Sequence, residues 1–97
     1  MTRIFRLVRF SATPESATAL EELVARDTVP INRRFGCEAC YVIKALDAPD
    51  DFAIVSIWPS REQLDAMRAQ PDYQAFATAI KERTVSGLHE TLYEVLA

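Results

Sequence analysis

Ninety-seven residues, 49% hydrophobic and 26% charged, are enough for one domain with a real core (residues 1–97) and exclude a second. A net charge of -3 argues against a nucleic-acid partner, which needs a clustered basic surface; Arg3, Arg6 and Arg9 are too interleaved with apolar residues to supply one. No apolar run approaches the ~20 residues of a membrane span and the N-terminus has no signal-like apolar stretch, so the chain is expected to be cytoplasmic, off the membrane, with Cys37 and Cys40 reduced.

Residues 3–10, RIFRLVRF, are rich in β-formers and predict a strand. Thr13 as N-cap and Pro14 at the first helical position open a helix on which Ala17, Leu20, Leu23 and Val24 recur at helical spacing. Pro30 is expected to kink or locally break it, and Gly36 stands where a C-terminal cap belongs. Residues 37–46 predict a second strand, Asp47 to Asp51 an acidic solvated turn, and residues 52–58 a third strand. Ser60 and Gln63 form a capping-box start for a second helix, which Pro71 interrupts before Tyr73, Phe76, Ala77 and Ile80 continue the stripe. Gly87 precedes a fourth strand over 88–96. Strand–helix–strand–strand–helix–strand is the α+β ferredoxin-like order, βαββαβ, and implies an antiparallel sheet ordered 4-1-3-2.

The third strand carries an expectation about assembly. Phe52, Ile54 and Trp58 point one way and Ala53, Val55 and Ile57 the other; only Ser56 breaks the apolar pattern. Two helical segments cover one face of a sheet, so the other face calls for a cover, and a second copy of the chain is the simplest.

Three loose motifs in order carry a resemblance over nearly the whole chain. They are Gly36-Cys37 opening the second strand, Trp58-Pro59-Ser60 followed by Glu62 and Leu64, and Pro71-Asp72-Tyr73 leading into Phe76 and Ile80. With them the chain resembles the antibiotic-biosynthesis-monooxygenase-like proteins of the dimeric α+β barrel class. The resemblance implies a homodimer with facing sheets and a pocket in each subunit between sheet and helices. It implies cofactor-free oxygenation of small phenolic or quinol-like molecules, although the wider class includes haem-degrading oxygenases, cyclases and isomerases. The chain departs from the active patterns: Met67 and Arg68 stand where many relatives have a histidine, Leu7 and its neighbours offer no amide on the first strand, and Ile54 replaces the asparagine of the polyketide oxygenases. Haem degradation is thereby disfavoured.

Trp58 is either an aromatic wall of the pocket or a core residue closing the end of the barrel. His89, the single histidine, is the natural general base near neutral pH, but topology places it toward the opposite end of the sheet from Trp58. Tyr93 shares a strand face with His89 and could meet Arg6; a phenol and a guanidinium are what an enolate pocket needs. Equally, Arg6 could pair with Glu90 or Glu94 across strands. Tyr41, Tyr73 and Met67 complete the candidate lining. Cys37 and Cys40 sit on a strand, not at a helix start, and have no second pair, so neither redox work nor a metal is expected.

The expectation is a cofactor-independent monooxygenase acting on a small aromatic, quinol-like or polyketide-like substrate. Trp58, Tyr93 and His89 are the catalytic candidates, and Arg6, Tyr41, Trp58, Tyr73 and Met67 the substrate-binding ones, with no metal and no cofactor. The alternatives are a non-oxidative cyclase or isomerase using His89 as base, and a non-catalytic dimeric small-molecule-binding protein.

Overall fold

The computed structural model describes residues 2–97. Four strands, β1 (Ile4–Ser11), β2 (Ala39–Lys44), β3 (Asp51–Trp58) and β4 (His89–Glu94), form one sheet ordered β2-β3-β1-β4. Every neighbouring pair is antiparallel, so the ferredoxin-like expectation holds in order and direction. Three helices, α1 (Ala17–Arg34), α2 (Arg61–Arg68) and α3 (Pro71–Lys81), fill the connections. None is long and apolar enough to cross a membrane among the described residues.

Local chemistry explains most boundaries. Pro14–Ser16 is a 3-10 turn leading into α1, with Ser16 N–H donating to Thr13 O at 3.0 Å; the Thr13 side chain makes no capping bond. Pro30 does not break α1, which runs unbroken to Arg34. One missing N–H is tolerated where the stripe on either side, Leu20 and Val24 before and Asn32 after, is buried. Gly36 takes φ +101°, the left-handed conformation that ends the helix. A Cβ there would strike the Gln63 side chain, whose Nε2 donates to Phe35 O at 2.8 Å and ties the end of α1 to the start of α2. Ser60 Oγ caps α2 by accepting from Gln63 N–H at 3.1 Å. Pro71 does divide the second helical segment, and it begins α3 at the position where its absent N–H costs nothing.

The strands sort their side chains by parity. Even-numbered residues face the helices: Arg6, Val8 and Phe10 on β1, Cys40 on β2, and Phe52, Ile54, Ser56 and Trp58 on β3 are all buried. Leu20, Val24, Leu64, Met67, Phe76 and Ile80 pack over them. Odd-numbered residues face away, where nothing covers them among the described residues. That face is largely apolar, with Arg9, His89 and Thr91 also on it: Phe5, Leu7, Val55 and Ile57 are half-buried by their neighbours, while Tyr41 is 64%, Ile43 50% and Tyr93 49% exposed.

Candidate functional site

The interior between sheet and helices is apolar at one end and polar at the other. Where β1 ends and β3 begins, Phe10 and Phe52 stack with ring centroids 5.8 Å apart, beside Val8 and Ile54. At the opposite end Arg6 stands opposite Ser56, and Ser56 opposite Cys40, in a row across β1, β3 and β2. All three are buried. Two residues further along β3, on the same face, Trp58 is wholly buried and donates its indole N–H to Ser56 Oγ at 2.9 Å.

Arg6 is the centre of this end. A guanidinium that is 5% exposed needs anionic or acceptor partners, because a bare buried charge is unstable. Its Nε meets Glu90 Oε2 at 2.5 Å, and its Nη2 donates to the Tyr73 hydroxyl at 2.6 Å while the guanidinium lies 5.4 Å from the Tyr73 ring centroid. Arg68 shares the same carboxylate, its Nη1 donating to Glu90 Oε1 at 2.8 Å, and Asp65 holds Arg68 from α2. Asp65 is kept below the usual carboxylate range by its hydrogen bond to Arg68. Burial alone would pull the Arg68 guanidinium down, but Asp65 and Glu90 together hold it above its ordinary value. The result is an ordered chain of charge, Asp65–Arg68–Glu90–Arg6–Tyr73, running from the surface into the core. At its inner end it presents a cation and a phenol.

The sequence-level candidates separate. Arg6 and Tyr73 are hydrogen-bonded to each other, Trp58 is bonded to Ser56 opposite Arg6, and Met67 is wholly buried on α2 within the same core. Tyr93 does not meet Arg6. It lies opposite Phe5, packs edge-on against that ring at 6.0 Å, and points to the uncovered face. Of the two partners open to Arg6 in the sequence, Glu90 is the one it takes. Tyr41 also faces the uncovered side, opposite Val55. His89 lies opposite Arg9, five register positions along β1 from Ile4, which faces Trp58; the two are at opposite ends of the sheet and on opposite faces. There His89 Nε2 sits 3.0 Å from Ser86 Oγ, on the wall of a cavity of about 490 Å³ shared with Arg9, Ile43 and Ala53.

Cys37 and Cys40 are free and buried. Burial pushes the Cys40 thiol up to about 12, and the adjacent Cys37 adds to the shift; burial raises Cys37 as well. These are neutral thiols, the reverse of a nucleophilic C-x-x-C. Among the described residues no group of three His, Cys, Asp or Glu side chains is placed to hold a metal ion. Two buried polar residues escaped the sequence reading, Thr28 and Asn32 on α1. Their signal was present: they continue the Leu20–Val24 row at four-residue spacing with the wrong polarity for a core.

Order, direction and helix placement define the chain as a ferredoxin-like α+β protein. A family model for antibiotic biosynthesis monooxygenase matches residues 3–79, and the chain belongs to that family. No curated protein is matched significantly by the sequence. Among solved structures it is similar to Rv0793 from Mycobacterium tuberculosis, with a TM-score of 0.86 and 21% identity over 98% of this chain and 96% of that one. It is similar to protein SO0527 from Shewanella oneidensis, with a TM-score of 0.85 and 22% identity, covering 97% of this chain and 91% of that one. It is also similar to SnoaB, a cofactor-independent oxygenase from Streptomyces nogalater, with a TM-score of 0.86 and 17% identity, covering 100% of this chain and 96% of that one.

Proposed function

We propose that the protein is a cofactor-independent monooxygenase that binds a flat, enolisable phenol or quinol between sheet and helices, at the end where Arg6, Tyr73, Ser56 and Trp58 meet. The observation that carries this is Arg6. A buried guanidinium hydrogen-bonded to a phenol, inside an otherwise greasy interior, is an anion-stabilising device held in place before any anion forms. Membership of the family and the fold shared with SnoaB agree with that use.

In this reading the substrate supplies the electrons. A ring CH₂ beside a carbonyl loses a proton, and Arg6 and Tyr73 hold the resulting enolate oxygen. The enolate reduces O₂ and recombines with it as a hydroperoxide. Loss of water, with return of the proton, leaves a new C=O, so that CH₂ and O₂ become C=O and H₂O. Trp58 stacks on the rings, and Met67, unbranched and adaptable, gives way to admit them. His89, Tyr93 and Tyr41 take no part within the same subunit.

The protein works as a homodimer in this reading, with the two uncovered sheet faces closing on each other. The uncovered sheet face carries Tyr41, Ile43 and Tyr93 exposed and Val55 partly so, and an identical face would cover it by two-fold symmetry. Sedimentation of wild type and Val55→Asp tests this: a dimer for the first and a monomer for the second are expected, and a wild-type monomer at micromolar concentration overturns it.

Oxygen-electrode assays with an anthrone and a panel of hydroquinones test the chemistry. Wild type is expected to consume one O₂ per anthrone oxidised, and Arg6→Met to lose at least ~100-fold in rate, the order seen when one oxyanion donor is removed. Turnover that continues without oxygen moves the protein to the cyclase and isomerase reading. Absence of both turnover and binding moves it to a non-enzymatic one.

A further inference from the structure

One row of the uncovered sheet face runs Ile43–Ala53–Arg9–His89 across β2, β3, β1 and β4, each residue opposite the next. Ala53 is the short member between two long ones, and all four line the cavity of about 490 Å³ at this end of the sheet. Small-molecule sites run from roughly 300 to 1,000 Å³, so the space is large enough for a ligand. It lies on the opposite face of the sheet from Arg6 and the helices, and the oxygenase reading makes no use of it. Two residues back along the strands, the row Tyr41–Val55–Leu7–Thr91 begins the more apolar part of the face. A second copy seated on that part has the hollow at its margin.

The charges of the wall are unequally engaged. Ser11 Oγ donates to Asp51 Oδ1 at 2.6 Å, and Lys44 Nζ donates to Glu21 Oε1 at 2.8 Å. Arg3 is paired with Glu38 and Arg6 with Glu90, whereas Arg9 has no hydrogen-bond or ion-pair partner among the described residues. His89 stands directly opposite Arg9, with its Nε2 3.0 Å from Ser86 Oγ. A neutral ring that accepts from the Ser86 hydroxyl carries its proton on Nδ1, and is then a second donor beside the guanidinium. A carboxylate suits this pair, because it accepts two parallel bonds from the guanidinium fork. Asp51 in the same wall opposes a second negative charge, which favours a monoanion over a phosphate ester or a diacid. The β2 side of the wall is apolar, formed by Ile43, Ala45 and Ala53. From Arg9 to Ile43 is two strand spacings, about 10 Å, close to the length of octanoate or of 2-naphthoate.

We propose that this cavity is a binding site for an amphipathic monocarboxylate, its carboxylate on Arg9 and His89 and its apolar body over Ala53 against Ile43. The site is separate from the interior around Arg6, and the inference does not rest on the oxygenase reading or its substrate.

His89 is the single histidine, so its ring signals in a proton–carbon NMR spectrum are recognised without further assignment and report on the site. Wild type is titrated with octanoate and with 2-naphthoate, and with the neutral alcohol of each, 1-octanol and 2-naphthalenemethanol. The better acid is expected to move the His89 signals saturably and to bind about 10-fold more tightly than its own alcohol, the scale of one charge-assisted hydrogen bond. Tighter octanoate assigns the site to aliphatic acids, tighter naphthoate to aromatic ones. Arg9→Gln, at an exposed position, is expected to bring the preference for acid over alcohol below about 2-fold. Ala53→Leu fills the hollow and is expected to weaken acid and alcohol alike by about 10-fold or more. His89 signals unmoved at ~1 mM of either acid overturn the inference. So does an acid that binds no better than its alcohol, or a preference that persists in Arg9→Gln. Equal binding by wild type and Ala53→Leu also overturns it, because the acid then meets only the charge of Arg9 and no cavity.

Discussion

The two ends of the helix-covered interior are built from the same elements and do opposite things. At one end β1, β3 and α1 contribute Phe10, Phe52 and Leu20; at the other the same three contribute Arg6, Ser56 and Asn32. Periodicity is identical at both ends, so it says only that a side chain is buried. What is buried there says whether the chain is stabilising itself or preparing for something else. The apolar end has a simple energetic logic, removal of aromatic and aliphatic surface from water. At the polar end a guanidinium, a phenol, an indole N–H and two oxygens without a partner among the described residues, Thr28 Oγ1 and Asn32 Oδ1, are held in place at a cost that the apolar end offsets.

This contrast breaks most sharply under truncation. Phe52→Ala is expected to destabilise the protein by about 3–5 kcal/mol, the cost of removing a stacked, buried ring and leaving a cavity. Urea unfolding measures the loss. Oxygen uptake with an anthrone should survive in whatever fraction stays folded, because the lost ring lies at the far end of the sheet from Arg6. Stability and turnover are then separable by position along one strand. A loss of turnover per folded molecule comparable to that of Arg6→Met would show that the two ends are one unit.

The next effect in size sharpens the polar end. Arg6→Met leaves the Tyr73 hydroxyl and Glu90 without their shared donor, whereas Glu90→Gln leaves Arg6 still bonded to Tyr73. The first should therefore cost more than the second. A double-mutant cycle between them is expected to give a coupling of about 1.5–2 kcal/mol. The lower part of the range for charged hydrogen bonds applies, because the Glu90 side chain is 30% exposed and also held by Arg68. A coupling under about 0.5 kcal/mol would mean that the pair is an ordinary surface contact.

Much of this was legible in the sequence, and the failures have a common cause. The strand–helix–strand–strand–helix–strand succession implies the sheet and its order, and strand three, apolar on both sides, implies a second face in need of cover. The facing of Tyr93 and Tyr41 could not. A shift of one residue in register turns every side chain of a strand over. β4 is joined to the sheet through α3 and a loop, so no tight turn fixes its register in advance. β2 is apolar on both faces, with Cys40 and Val42 on one and Tyr41 and Ile43 on the other, so its pattern names no inside. Arg6 was noticed, but its partners Tyr73 and Glu90 stand 67 and 84 residues away, and only the closed fold brings them together. Thr28 and Asn32 do not stand out in the sequence, because an apolar stripe stops where its residues become polar. Followed by spacing alone, it would have reached them.

The smallest effect tests whether the polar end is dry. Burial raises the Cys40 thiol to about 12, whereas a cysteine in the unfolded chain titrates near its ordinary value of about 8.5. Between those two values the unfolded chain has released the proton and the folded one has kept it. The folded state then binds more protons, and stability falls as pH rises. The contribution of Cys40 is therefore intact below about pH 8 and is lost progressively toward 12, amounting to about 1–2 kcal/mol by pH 10. Cys37, also raised by burial, acts in the same direction. Cys40→Ala should be somewhat less stable than wild type at pH 7, from lost packing, but its urea midpoint should fall less steeply between pH 8 and 10. Every other ionisable group is common to both proteins and cancels in the difference. Parallel pH profiles would mean that water reaches Cys40. The row it shares with Ser56 and Arg6 would then lack the low-dielectric surroundings on which enolate stabilisation by Arg6 depends.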